Sequence, residues 1–491
     1  MEVIHLPHLP GSRPLSLFLG VLLCGCAPSV KLARPNISLP ERYEAAPSAV
    51  ADEKLDRWWE RFSDPQLSAL VEQALAQNTD ARSAYFRLRE ARAIRDQSLS
   101  QRLPTGAISG SAQLQNGRQL SGVDLFGSTA QSDSQSLAFS PSWEIDLFGR
   151  LGAIGEGARA TYVAAAYDYH AARLSLAADV ASALFEARGL AVQRDDAQEG
   201  LRIARDLARA SKLGRDRGLI AASETARLEG DEATAQAELT RIETALRNAK
   251  RSLLVLIGSP DAPTSSLAID ARLDAPPQVP ALMPAMLLAR RPDILAAEAR
   301  VAAATSAVKV DRLALFPRFT LQGNGNISRT AGPAVGISSI WSIAAGLSLP
   351  VLDRTRLMAQ LRATQAQGER AVVSYEAAVQ AGFRDADIAL ALVAADRARL
   401  ADLSRAEERA RFAFDAGRKG FAAGLTDLTT LVQSEQTWRA ARRALTNART
   451  QALTNVVGAF RALGGGWNPD DPATAPEQPA VALPIQSKEL P

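Results

Sequence analysis

Few side chains in this 491-residue sequence have the type and spacing that chemistry requires. Both cysteines, Cys24 and Cys26, stand two positions apart in VLLCGCAPSV (21–30). A bridge between them would close a loop too tight for ordinary disulfide geometry and would restrain almost none of the chain. A structural zinc site needs about four nitrogen or sulfur ligands, and beyond these cysteines there are only His5, His8 and the distant His170. His170 falls in a helical run, YVAAAYDYHAARLSLAA (162–178), where an exposed or interface position is expected rather than catalysis. No phosphate loop, zinc spacing or nucleophile elbow is present. The composition speaks against an enzyme, and no cofactor or metal is expected. A net charge of +3 gives no support to a nucleic-acid partner either.

What precedes the cysteines gives them another role. Arg13, then LSLFLGVLL (15–23), then small residues trace a short secretory signal. The run is too short for a permanent membrane helix. Leu23-Cys24-Gly25-Cys26 resembles the bacterial lipobox, in which cleavage precedes the cysteine that takes the lipid. Cys26 is then the first mature residue and its covalent lipid the only attached group, with Cys24 a small residue of the recognition site. An ordinary signal cut nearby is the alternative. In the sorting rule that accompanies the motif, Ala27 in place of Asp favours the outer membrane.

The rest of the chain supplies elements rather than reactive groups. No proline occurs between Pro141 and Pro260, or between Pro350 and Pro469, two windows of 118 residues that read as long helices. Residues 73–104 and 285–317 share a helical beginning, a turn with Asp80 or Asp293, and a closing proline, Pro104 or Pro317, which predicts a tandem duplication. Each repeat holds a strand pair. In SLAFSPSWEIDLFG, Leu137, Phe139, Trp143, Ile145 and Leu147 alternate with Ser136, Ser140, Ser142, Glu144 and Asp146. In ISSIWSIAAGLSLPV, Ile337, Trp341, Ile343, Leu347 and Leu349 alternate with Ser338, Ser342 and Ser348. Their partners are 106–115 and 319–328. Such alternation fits a strand with lipid on one side and water on the other, or a soluble sandwich with one wet face. Four strands cannot close a membrane barrel, so spanning strands must be pooled by several chains. From Arg354 to Ala416 only Gly368 and Gly382 threaten a helix that would reach roughly 90 Å, and a seam including Leu361, Tyr375 and Phe414 suits helix packing. Turn signals at 212–222 and 416–427 fold each window into a helical hairpin.

With these features the chain resembles the TolC-like outer-membrane efflux factors, in the NodT-type lipoprotein branch that serves RND pumps. The carriers are RWWERFSDPQLSALVEQALAQNTD (57–80), SWEIDLFGRLGA (142–153), LLARRPDILAAEARVAAA (287–304), LSLPVLDRTRL (347–357) and ALGGGW (462–467). The resemblance implies a mixed α and β fold. A homotrimer would share a 12-stranded antiparallel transmembrane β-barrel, four strands per chain, above a long-helix α-barrel. It further implies a passive conduit for small molecules (drugs, toxic compounds or metal ions), lipid-anchored in the outer membrane and extending into the periplasm. Its partners would be a periplasmic adaptor and an inner-membrane pump, with the duct of a type I protein-secretion system as the alternative. A purely structural coiled-coil lipoprotein leaves the strand pairs unexplained.

The expected organisation is a signal at 1–25, a lipidated equatorial segment at 26–64, and a first repeat at 65–260 with strand pair 105–148 and hairpin 149–258. A linker at 261–283 leads to a second repeat at 284–467, with strand pair 317–352 and hairpin 354–464, before a disordered, proline-rich tail at 468–491. The resemblance puts the periplasmic gate at the hairpin tips, near Gly218 and Gly424. In many members the second tip ends on an Asp that lines the constriction; here Gln433 takes that place. Either Asp427 or Asp216 then supplies cation affinity at the mouth, or the constriction is neutral. For Asp427 a helix N-cap is the competing expectation.

Overall fold

A computed structural model describes residues 35–40, 42–44, 55–118, 129–280, 284–331 and 335–468. Cys24, Cys26, the signal and the tail beyond Asn468 lie outside them. The helices are α1 (Pro65–Gln77), α2 (Thr79–Ser100), α3 (Arg150–Asp216), α4 (Ala222–Leu256), the single turn α5 (Leu287–Arg290), α6 (Pro292–Leu313), α7 (Arg354–Ala422) and α8 (Leu428–Ala462). The strands are β1 (Thr105–Arg118), β2 (Thr129–Ile145), β3 (Arg318–Ala331) and β4 (Gly336–Ser348). Helix α7 runs unbroken through Gly368 and Gly382 for 69 residues. Gly382 sits where a Cβ would meet Ile294 at 2.9 Å, so it serves close packing rather than a bend.

The chain forms two compact units that cut across the repeats. The first gathers 99–157 and 304–369, drawn from both repeats. At its centre is one antiparallel sheet of order β1-β2-β3-β4. The strand pairs expected from the sequence are therefore joined to each other, β2 pairing with β3 from Asp133↔Ala331 to Ile145↔Phe319. Pairing lapses at Ser140 and Pro141, where proline has no N–H to give. Gly323 accommodates the ring: a Cβ there would stand 2.8 Å from Pro141 Cγ.

Of the described residues, the second unit holds those within 35–98, 158–303 and 370–468. Its core is aromatic where the two repeats meet. Trp58 stacks on Phe460 at 5.4 Å, and Phe62 lies against Phe185 at 5.0 Å. Asp64 caps α1 by accepting from the backbone N–H of Gln66 and Leu67, and its carboxylate forms a buried ion pair with Arg188 of α3. The glycines of ALGGGW let the chain reverse after α8, with φ of +75° at Gly464 and +96° at Gly466. The N–H of Gly466 donates to the Leu55 carbonyl at 2.8 Å, and Trp467 Nε1 donates to the Arg290 carbonyl at 2.9 Å. His170, expected on an exposed or interface position, takes the second: it is buried, its ring 5.0 Å from that of Trp467. It is a packing residue.

Candidate functional site

Strand register decides what the sheet can do. On one face lie Ile108, Leu114, Leu137, Phe139, Trp143, Ile145, Phe319, Leu321, Ile327, Ile337, Trp341, Ile343 and Leu347. These side chains are largely uncovered in the single chain: Trp341 is 79% exposed and Ile108 74%. Across the whole sheet the other face carries hydroxyls and amides. Ser140 and Ser142 stand there with Gln322, Asn324 and Asn326, and Ser111 Oγ lies 2.9 Å from Ser136 Oγ, Ser328 Oγ 2.8 Å from Ser338 Oγ. Apart from alanines, Ile340, opposite Asn326, is the apolar exception among the described residues. Among the described residues no soluble core covers the apolar face, which is what a lipid-facing sheet requires.

The motif SWEIDLFGR forms the joint between β2 and α3. Glu144 receives three hydrogen bonds from the Arg150 guanidinium, from Nη2 at 2.7 and 2.8 Å on its two oxygens and from Nε at 3.1 Å. Asp146 accepts from the Gly152 N–H at 2.7 Å, satisfying a free donor of the first helical turn. Gly149, at φ +84°, provides the reversal between them, and Phe148 packs on Phe316 at 5.2 Å.

The hairpin tips are built alike. At the first, the Gly218 N–H donates to the Arg215 carbonyl and the Leu219 N–H to the Gly214 carbonyl, both at 2.8 Å. At the second, Gly424 donates to Phe421 at 3.0 Å and Leu425 to Gly420 at 2.8 Å. Both glycines are left-handed, with φ of +71° and +73°, so each tip is a Schellman turn that requires the missing Cβ. Only the second tip has a side-chain cap: Asp427 Oδ1 accepts from the Thr430 N–H at 2.7 Å. That bond holds the Asp427 carboxyl below the usual carboxylate range. Asp216 is engaged by its neighbour Arg215 at 3.0 Å. Gln433 is exposed on the first turns of α8. Both candidate carboxylates of the mouth therefore have partners within their own chain.

Beyond the tips the two hairpins pack together. Phe414 of α7 stacks on Trp438 of α8 at 5.1 Å, and Trp438 Nε1 donates to Glu407 at 3.0 Å. Arg442 reaches Asp196 of α3 at 2.5 Å. Burial raises the Asp196 carboxyl, with Arg442 opposing; burial raises that of Glu435 as well, with Arg439 opposing. These groups sit between helices, with no reacting centre, and among the described residues no cluster of metal-ligand type occurs. The Glu144–Arg150 joint and the buried charges between the hairpins were missed from sequence. Only the proximity of Glu144 to a helix start six residues on could have suggested the first.

The comparisons with known proteins agree with this geometry. The sequence model of the outer membrane efflux protein family matches residues 70–259 and 283–465, one segment in each repeat. The chain belongs to that family. Its relatives include the pyoverdine export outer membrane protein OpmQ of Pseudomonas putida, 30% identical over 94% of this chain and 97% of that protein. Another is the probable outer membrane lipoprotein SilC of Salmonella typhimurium, 26% identical over 92% of this chain and 98% of that one. Among solved structures, the outer-membrane channel OprN aligns with a TM-score of 0.78 at 29% identity, covering 90% of this chain and all of that one. As an outer membrane efflux protein the chain has a channel fold: a four-strand share of a sheet, with long helical hairpins. Among the described residues no helix is long and apolar enough to cross a membrane.

Proposed function

We propose that three copies of this chain close one barrel across the outer membrane and form the passive exit duct of a tripartite efflux system. Cys26 carries the lipid, and a periplasmic adaptor and an RND-type inner-membrane pump deliver small molecules or ions to the hairpin tips. The observation that carries the reading is the sheet. It has an apolar face, a hydroxyl face, and two outer strands, β1 and β4, each with one unused edge. An open edge in hydrocarbon leaves amides without partners, and four strands are about half of the smallest membrane barrel, so copies must join edge to edge. The names of relatives support cargo and anchor: OpmQ is a pyoverdine exporter, CusC of Escherichia coli a cation efflux protein, and SilC a probable lipoprotein.

The test is native mass spectrometry of detergent-extracted protein with planar-bilayer recording. A trimer mass and discrete conductance steps are expected; a monomer that leaves bilayers silent would overturn the duct. Cys26→Ser should lose palmitate labelling and keep the trimer, because one acyl chain anchors only marginally beside several strands. Labelling that survives Cys26→Ser would refute the lipid assignment.

A further inference from the structure

The polar face of the sheet is nearly free of charge. Among its described positions only Glu144 and Arg318 are ionisable, the rest being hydroxyl, amide or small side chains with Ile340. Glu144 is neutralised in place by the bidentate Arg150 guanidinium. Arg318 has no such partner among the described residues. It is the first residue of β3, exposed, opposite Ser348 of β4, and no carboxylate among the described residues pairs with it. The second repeat places Ser348 where the first has Glu144, each closing its strand on the polar face ahead of a helix. Acids that follow the strands are already engaged, Asp146 by the Gly152 N–H and Asp353 by Arg356 at 3.7 Å. One unpaired cation thus stands at one end of an otherwise neutral wall.

We infer that Arg318 sets the charge preference of the strand-built section of the duct, favouring anionic over cationic solutes. The inference rests on the duct reading above. In a closed assembly each copy adds one guanidinium at the same height. Neutral walls neither oppose nor screen that charge, whereas counter-ions limit its reach to about 8 Å at physiological salt. Arg cannot be deprotonated in the working range, so the preference does not titrate. Hydroxyls and amides along the rest of the face offer hydrogen bonds to either sign of solute, which leaves discrimination to this one position.

Thr320 is the next residue on the same face, about 7 Å along the strand. Thr320→Cys in the assembled outer-membrane protein therefore reports the local field through its labelling rates with a sulfonate-bearing and a trimethylammonium-bearing thiosulfonate. These reagents reach the face from outside whether or not the tips are open. With Arg318 present the anionic-to-cationic rate ratio should exceed that of Arg318→Gln by about two- to three-fold, the screened effect of a unit charge at this distance. Arg318→Lys should keep the ratio and Arg318→Glu should reverse it. Arg329→Gln, altered on the opposite face, should change nothing. A ratio that stays constant across the Arg318 series, with labelling intact, overturns the inference and leaves the duct standing. If neither reagent labels Thr320→Cys, the hydroxyl face is not wet, and the duct reading falls with the inference.

Discussion

Replacing Trp341 by Arg tests which face of the sheet meets lipid. Strand β4 runs from Gly336 to Ser348, so Trp341, Ser342 and Ile343 occupy its middle. Trp341 is 79% exposed on the apolar face and pairs with Gly325, whose Cα faces open space, so no neighbour among the described residues could shield a charge placed there. A cation on the lipid face costs ~2–4 kcal/mol near the midplane, and three equivalent copies would bring the total to about 6–12 kcal/mol per trimer. That is comparable with the whole stability of an ordinary domain, about 5–15 kcal/mol. Ser342→Arg, one residue on, points to the face of Asn324 and should cost a small fraction of this. The assay is the yield of heat-modifiable trimer from outer membranes, followed by urea titration of protein refolded into lipid vesicles. Trp341→Arg should lose the trimer or show a strongly lowered midpoint, while Ser342→Arg stays near the parent. Equal losses would refute the facing of β4 and the membrane reading together.

Other substitutions probe the second unit. Arg188→Ala strands the buried Asp64 carboxylate and should cost about 3–5 kcal/mol, read as a drop in the denaturation midpoint; a change within error would mean the pair is solvated. Asp427→Asn keeps a cap acceptor for the Thr430 N–H and should leave stability and single-channel conductance unchanged, whereas Asp427→Ala should lower stability. A rise in conductance in Asp427→Asn would restore the carboxylate ring at the mouth. Burial raises the Glu435 carboxyl above the ordinary glutamate value of 4.5, so the folded protein holds that proton more tightly than the unfolded chain. Stability from this group is then full where it is protonated and declines as pH rises through the interval just above 4.5. Glu435→Gln should flatten that part of the melting-temperature profile, and an unchanged slope would assign the pH dependence elsewhere.

What could be read from sequence was whatever repeats locally. Leu137, Phe139 and Trp143 alternate with serines at period two, so the two faces of β2 were visible before any partner was known. The reversals at Gly218 and Gly424 were legible because polar and glycine-rich stretches interrupt long alanine-rich helices. Long-range partnerships were not legible. Nothing in the neighbourhood of Asp64 announces Arg188, 124 positions on, and nothing in β2 states that β3 rather than another copy lies beside it. Asp427 stood between cap and gate because the same carboxylate chemistry suits both; the hydrogen bond from the Thr430 N–H shows that it caps α8, and the conductance of Asp427→Asn tests the gate. For His170 the sequence left exposed and interface positions open for a related reason: the residue that covers it, Trp467, comes from the far end of the chain.

The pairing of β2 with β3 also sets a timetable for how the molecule is made. Trp143 finds Leu321, and Leu137 finds Ile327, only after the chain between Ile145 and Arg318 has been produced. At ~5–20 residues per second of synthesis that interval lasts on the order of 10–35 s. Throughout it the β1–β2 ribbon exists without its neighbour, offering a bare edge and an apolar surface to any strand it encounters. The α3–α4 hairpin, whose contacts are local, has time to fold in the meantime, since closing distant pairs is the slow step. Nascent chains of this protein are thus adhesive for about a third of their production, and polypeptides truncated before Arg318 should aggregate unless a holding chaperone covers the ribbon.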